Sequence, residues 1–97
     1  MAKAYLMAFY RTVRDPDALA EYGKLAKPAI EGAGGRFLAR GVAADAYEAG
    51  VKERTVVVEF DSVEQAVAAY NGEAYQAAFE KLGDAAERDV RIVEGLE

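Results

Sequence analysis

Residues 54–65 read Arg54-Thr55-Val56-Val57-Val58-Glu59-Phe60-Asp61-Ser62-Val63-Glu64-Gln65, and the fold turns on this stretch. Val56, Val58 and Phe60 share one alternating face, and Thr55, Val57 and Glu59 share the other. That pattern of β-branched residues predicts a strand over Arg54–Phe60 with one face in a core. Ser62-x-x-Gln65 then reads as a capping box opening a helix. Val63, Ala66, Val67 and Tyr70 recur at helical spacing until Asn71-Gly72 stops them. Tyr75, Ala78, Phe79 and Leu82 repeat the stripe in a second short helix that Gly83 ends. Asp84 to Asp89 reads as a polar connector, and Val90-Arg91-Ile92-Val93 as a closing strand.

The N-terminal half has the same grammar. Ala4 to Thr12 is apolar on both alternating faces, which predicts a strand covered on both sides. Asp15-Pro16-Asp17 opens a helix: Asp15 caps, Pro16 suits the first helical position, and Asp17 meets the positive end of the dipole. Leu19, Tyr22, Ala26 and Ile30 form its apolar stripe, with a kink or short break expected at Pro28. Gly32-Ala33-Gly34-Gly35 ends it. Arg36-Phe37-Leu38-Ala39-Arg40 is a short strand whose alternation places Arg36, Leu38 and Arg40 on one face. Gly41 to Gly50 is weaker, a bulge or turn with a strand remnant around Ala46-Tyr47-Glu48.

The order is β-α-β-β-α-β with the second helix split, the ferredoxin-like α+β plan: both helix layers cover one face of a four-stranded antiparallel sheet. The other face carries too much apolar side chain to meet water, with Val57 and either Val93 or Ile92 on it. The simplest cover is a second copy of the same sheet, so a homodimer is expected.

Composition narrows function mainly by exclusion. Residues 1–97 form one domain, with no repeat, linker or composition break. There is no Cys, His or Trp, and Ser62 is the only serine. Imidazole bases, thiolate nucleophiles, Ser-His-Asp triads and ordinary zinc sites are therefore absent. A net charge of −5 argues against nucleic-acid binding. No apolar run approaches a membrane span and no secretory leader is read at the start, so the cytoplasm is expected. No cofactor or metal is expected. The carboxylates of Asp15-x-Asp17 are explained by helix capping. Gly32-Ala33-Gly34-Gly35 follows a helix and opens a strand, the reverse of a nucleotide loop.

Several strings occur in an order that resembles the domain of unknown function 1330 family. They are Pro28-Ala29-Ile30, Gly34-Gly35-Arg36-Phe37-Leu38-Ala39-Arg40-Gly41, Val58-Glu59-Phe60-Asp61-Ser62, Ala69-Tyr70, Glu73-Ala74-Tyr75-Gln76 and Ile92-Val93-Glu94-Gly95. The resemblance spans nearly the whole chain; Gly41 to Gly50 departs most. It implies a dimeric α+β barrel, two sheets packed face to face around an internal or mouth-located cavity. It implies no particular reaction, because the wider superfamily includes cofactor-independent monooxygenases, isomerases and dehydratases. The haem-degrading branch fits poorly, because no His is present to ligate iron.

The candidate site residues follow from strand faces and helix stripes. Arg36 and Arg40 would clamp a carboxylate, enolate or phosphate, and Glu59 would face them as general base or counter-ion. Their ordinary reading is an ion-pair network. Arg54 is a further candidate at a strand end, as is Glu94 with weaker support. Tyr22, Tyr70 and Tyr75 lie on apolar stripes and are either core packing or phenol donors to a cavity. Tyr70 and Tyr75, either side of Asn71-Gly72, should project near each other. The expected function is binding of a small organic anion or carbonyl compound in a cavity at the sheet face. Cofactor-free isomerase or monooxygenase-like chemistry is one extension of that reading. A non-catalytic dimeric binding or structural protein is the alternative.

Overall fold

A computed structural model of the chain describes residues 2–96. Its elements are β1 (Ala4–Val13), α1 (Pro16–Gly32), β2 (Arg36–Val42), β3 (Arg54–Phe60), α2 (Val63–Asn71), α3 (Glu73–Leu82) and β4 (Ala86–Glu94). The strands form one antiparallel sheet in the order β2-β3-β1-β4. This is the expected ferredoxin-like α+β arrangement. Among the described residues, no helix is long and apolar enough to cross a membrane.

The core lies between the sheet and the helices. Leu6, Ala8 and Tyr10 of β1 and Val56, Val58 and Phe60 of β3 point into it, beneath Tyr22, Ala26 and Ile30 of α1 and Tyr75, Ala78 and Leu82 of α3. Phe60 and Val58 are fully buried, so truncating Phe60 to Ala would cost about 3–5 kcal/mol. The opposite face carries Tyr5, Met7 and Phe9 of β1 against Glu59, Val57 and Thr55 of β3 and Val93, Arg91 and Asp89 of β4. Its apolar side chains are incompletely covered: Phe9 is 37 % and Val93 46 % exposed.

The helix starts form as the sequence requires. Asp15 Oδ1 accepts from the amides of Asp17 and Ala18 at 3.1 and 3.2 Å, with Pro16 at the first position. Ser62 Oγ accepts from Gln65 N at 3.1 Å, and Gln65 Oε1 reaches back to accept from Asp61 N at 2.8 Å. At the end of α1 the amides of Gly34 and Gly35 donate to the carbonyls of Glu31 and Ile30, a Schellman closure. Gly34 sits at φ +97°, and a side chain at Gly35 would strike Ile30, Phe60 and Val58. Both positions therefore require glycine.

Four expectations need correction. First, α1 runs through Pro28 unbroken. Pro28 and Lys24, whose carbonyl loses its donor, are both exposed, while Ala26 and Ile30 anchor the helix on either side. Second, β4 begins at Ala86 rather than Val90, because Arg88 and Glu87 pair with Tyr10 and Thr12 of β1 across an irregularity at Arg11. Third, β2 extends to Val42, and 46–48 holds no strand; Glu48 adopts φ +53° in a turn.

The fourth correction matters most. Arg36 and Arg40 do not share a face. Arg36 pairs with Glu59 and Phe37 with Val58, but the register then shifts so that Ala39 pairs with Val57 and Arg40 with Val56. Leu38 is the extra residue of a β-bulge. It breaks the alternation, leaving Arg36 on the open face beside Glu59 and sending Arg40 to the helix-covered face beside Val56.

Candidate functional site

On the helix-covered face, one end of the sheet carries a stripe to which every strand contributes. β2 supplies Arg40, the register partner of Val56, and β3 supplies Arg54, two residues before Val56 on the same face. β1 supplies Tyr10, and β4 supplies Arg88 directly opposite Tyr10. The guanidinium carbons of Arg54 and Arg88 lie 5.7 and 5.6 Å from the centre of the Tyr10 ring. Arg88 also lies 5.2 Å from the Tyr22 ring and 5.6 Å from that of Phe79. These are cation–π distances, which stabilise a half-buried cation without neutralising it.

Two helix tyrosines close the stripe from above. The hydroxyls of Tyr22 and Tyr75 are 2.7 Å apart, and Arg88 donates from Nη1 to Tyr22 at 3.1 Å and from Nη2 to Tyr75 at 3.2 Å. One phenol proton closes the Tyr–Tyr hydrogen bond, which leaves the other hydroxyl with a proton to donate. Burial holds the Tyr22 phenol above its ordinary value, and neighbouring Tyr75 adds to this, while Arg88 opposes it without prevailing. Tyr22 is thus neutral at physiological pH and no counter-ion for Arg88. Burial works against the Arg88 charge, but the facing oxygens of Tyr22 and Tyr75 outweigh it and keep the guanidinium protonated.

These residues enclose a cavity of about 40 Å³, walled by Leu6, Ala8, Ile30 and Val56 and tipped by Tyr10, Tyr22, Tyr75, Arg40, Arg54 and Arg88. That is room for about three waters, or for one carboxylate group. Arg54 Nε is buried there without a hydrogen-bond partner among the described residues. No Asp or Glu lines the cavity. Arg40, Arg54, Arg88 and Lys27 make no ion pair among the described residues, in a chain with 17 acidic side chains. A pocket that offers donors and positive charge, and that no carboxylate lines, is chemically suited to an anion.

The structure thus brings Tyr22, Tyr75, Arg40 and Arg54 together. Tyr70 packs on Tyr75 at 4.9 Å between ring centres, as their flanking of Gly72 suggested, but lies outside the cavity wall. Arg36 and Glu59 belong to the open face. Arg36 donates from Nε to Glu59 at 2.9 Å and from Nη2 to Asp61 at 3.0 Å, and Lys3 stands 3.7 Å from Glu59. The Arg36 hydrogen bond holds the Glu59 carboxyl below its ordinary value; burial opposes this, and the neighbouring Lys3 charge supports it. Tyr10, Arg88 and Lys27 are site residues that the sequence reading missed. Arg88 fell inside the supposed connector; extending the alternation of Val90 and Ile92 back by one step would have placed it on the core face.

The family model for DUF1330, a domain of unknown function, matches residues 3–96. The chain belongs to the DUF1330 family. No curated protein matches this DUF1330 chain. Solved structures do. A protein of unknown function from Rhodopseudomonas palustris superposes with a TM-score of 0.70 at 19% identity, covering 99% of this chain and 84% of its own. A dimeric ferredoxin-like protein of unknown function from Thermobifida fusca gives 0.67 at 19%, covering 96% and 91%. An EthD family protein from Bacillus halodurans gives 0.61 at 19%, covering 99% and 100%. At these identities the DUF1330 chain shares their fold, and the fold alone carries no activity over.

Proposed function

We propose that this DUF1330 protein binds a small organic anion in the cavity between α1 and the sheet. One observation carries the reading: guanidinium groups from three strands converge with a spare phenol proton on a space that no carboxylate lines. Arg54 Nε and the free hydroxyl proton of the tyrosine pair are the primary donors, and Arg88 supplies charge while fixing both phenols. A neutral carbonyl compound fits less well, since it would leave the cations uncompensated. If a reaction follows binding, these donors contribute stabilisation of a developing oxyanion. Tyr22 is held protonated and Glu59 lies on the other face, so the cavity supplies no ready base. Binding is therefore the better-supported role.

The protein acts as a homodimer in this proposal. Met7, Phe9, Val57 and Val93 make an apolar band on the open face, with Lys3, Arg36 and Glu59 at one end, Arg11 and Asp89 at the other, and Arg91 beside Met7 on the β4 edge. An apolar centre with a charged rim is the usual composition of a contact surface.

A thermal-shift screen of small carboxylates, run on the parent and on Arg54→Ala, tests the binding reading. A ligand at about a hundred times its Kd adds about 2.7 kcal/mol, a rise of about 10–20 °C. A rise in the parent that is lost in the variant is expected. No rise with any carboxylate, or equal rises in both proteins, would overturn the assignment.

A further inference from the structure

We infer that the anion bound by this site carries two acid groups, a carboxylate in the cavity and a second acid at its mouth, joined by a short apolar linker. The inference rests on the binding reading above and goes beyond it. A groove of about 470 Å³ along α1 adjoins the cavity, and the two share Gly23, Lys27, Arg40 and Arg54 in their walls. In this proposal one ligand spans the two. Positive charge sits at both ends: Arg54 and Arg88 inside, Arg40 and Lys27 at the mouth. No acidic side chain lines either part. Only Lys24 among the groove's cations is paired, with Glu21 at 3.2 Å.

A space of about 40 Å³ admits one carboxylate and little more, so the rest of any ligand lies outward along the groove. There it would meet Leu19 and Pro16 and the unpaired cations Arg40 and Lys27. A monoacid leaves this second positive pair facing only water. A diacid answers both, and its second group at the mouth gains Arg40 as a bidentate partner. Gly23 sets the width of the passage. It and Lys27 are the residues of α1 common to cavity and groove, and a Cβ at Gly23 would meet nothing within 4 Å. Its missing side chain leaves the linker its route, at the known cost of a glycine within a helix.

Calorimetric titration with straight-chain monocarboxylates and α,ω-dicarboxylates of matched length tests this. At one chain length the diacid should bind at least tenfold more tightly than the monoacid. Arg40→Ala and Lys27→Ala, both at exposed positions, should weaken the diacid at least fivefold more than the monoacid, which closes most of the gap between the two series. Gly23→Leu should fold and weaken both series at least tenfold. Monoacids that bind as tightly as diacids would overturn the two-acid inference and leave the binding reading intact. Binding of neither series by the parent would overturn both.

Discussion

Arg54 and Arg88 hold the same ring: their guanidinium carbons stand 5.7 and 5.6 Å from the centre of Tyr10, with no carboxylate paired to either among the described residues. Two like charges set against one ring repel, and Arg54 carries a buried unpaired donor as well. Without ligand the arrangement disfavours folding. Arg54→Met should therefore stabilise the ligand-free protein by about 1 kcal/mol, raising Tm by about 4–8 °C. Added salt, which screens the repulsion, should stabilise the parent more than the variant. Scanning calorimetry at low and half-molar sodium chloride checks both. A variant less stable than the parent would show the guanidinium to be a net structural support.

The phenol pair predicts behaviour in alkali. Burial holds Tyr22 above the ordinary 10.0. The stability this group contributes is full below pH 10 and falls as pH rises beyond it, because the unfolded phenol loses its proton first. Tyr22→Phe should cost about 1 kcal/mol at neutral pH through the lost hydrogen bonds and flatten the loss above pH 10. Denaturant unfolding at a series of alkaline pH values reads both effects. An unchanged alkaline limb would mean that Tyr22 ionises freely in the folded chain.

Acid stability should depend on Glu59. Arg36 holds its carboxyl below the ordinary 4.5. The sign is opposite to that of Tyr22: its contribution is present above pH 4.5 and is lost as pH falls through the lowered value. Glu59→Gln should make the acid limb shallower and leave the affinity of the cavity for anions unchanged, since Glu59 faces away from it. A change in anion affinity beyond twofold would place Glu59 in the site instead.

The open face should be separable from the fold. Val57 lies at the centre of its apolar band, on the opposite side of β3 from the core residues Val56 and Val58. Val57→Glu should preserve secondary structure and halve the mass measured by light scattering. A parent that is already monomeric would refute the dimer.

The order and faces of the elements were legible from local chemistry: the caps at Asp15 and Ser62, the alternation through Val56, Val58 and Phe60, and the helical stripes. Four of the site's side chains, Tyr22, Tyr75, Arg40 and Arg54, were named from those same patterns. Their grouping was not legible. It depends on Leu38, whose bulge is a property of strand pairing and leaves no mark in composition; unbroken alternation puts Arg40 beside Arg36. Arg88 was hidden because polar residues at a strand edge look like a connector until the pairing with β1 is known.

The bulge at Leu38 gives β2 two separate assignments within five residues. Arg36 ahead of it serves the face where a second subunit would rest, and Arg40 behind it serves the pocket. A one-residue insertion or deletion in this strand would not merely loosen an edge: it would trade a pocket cation for an interface cation. The length of β2 is consequently under tighter constraint than its composition. Family members that have gained or lost a residue here would be expected to bind a different ligand and to assemble differently, both at once.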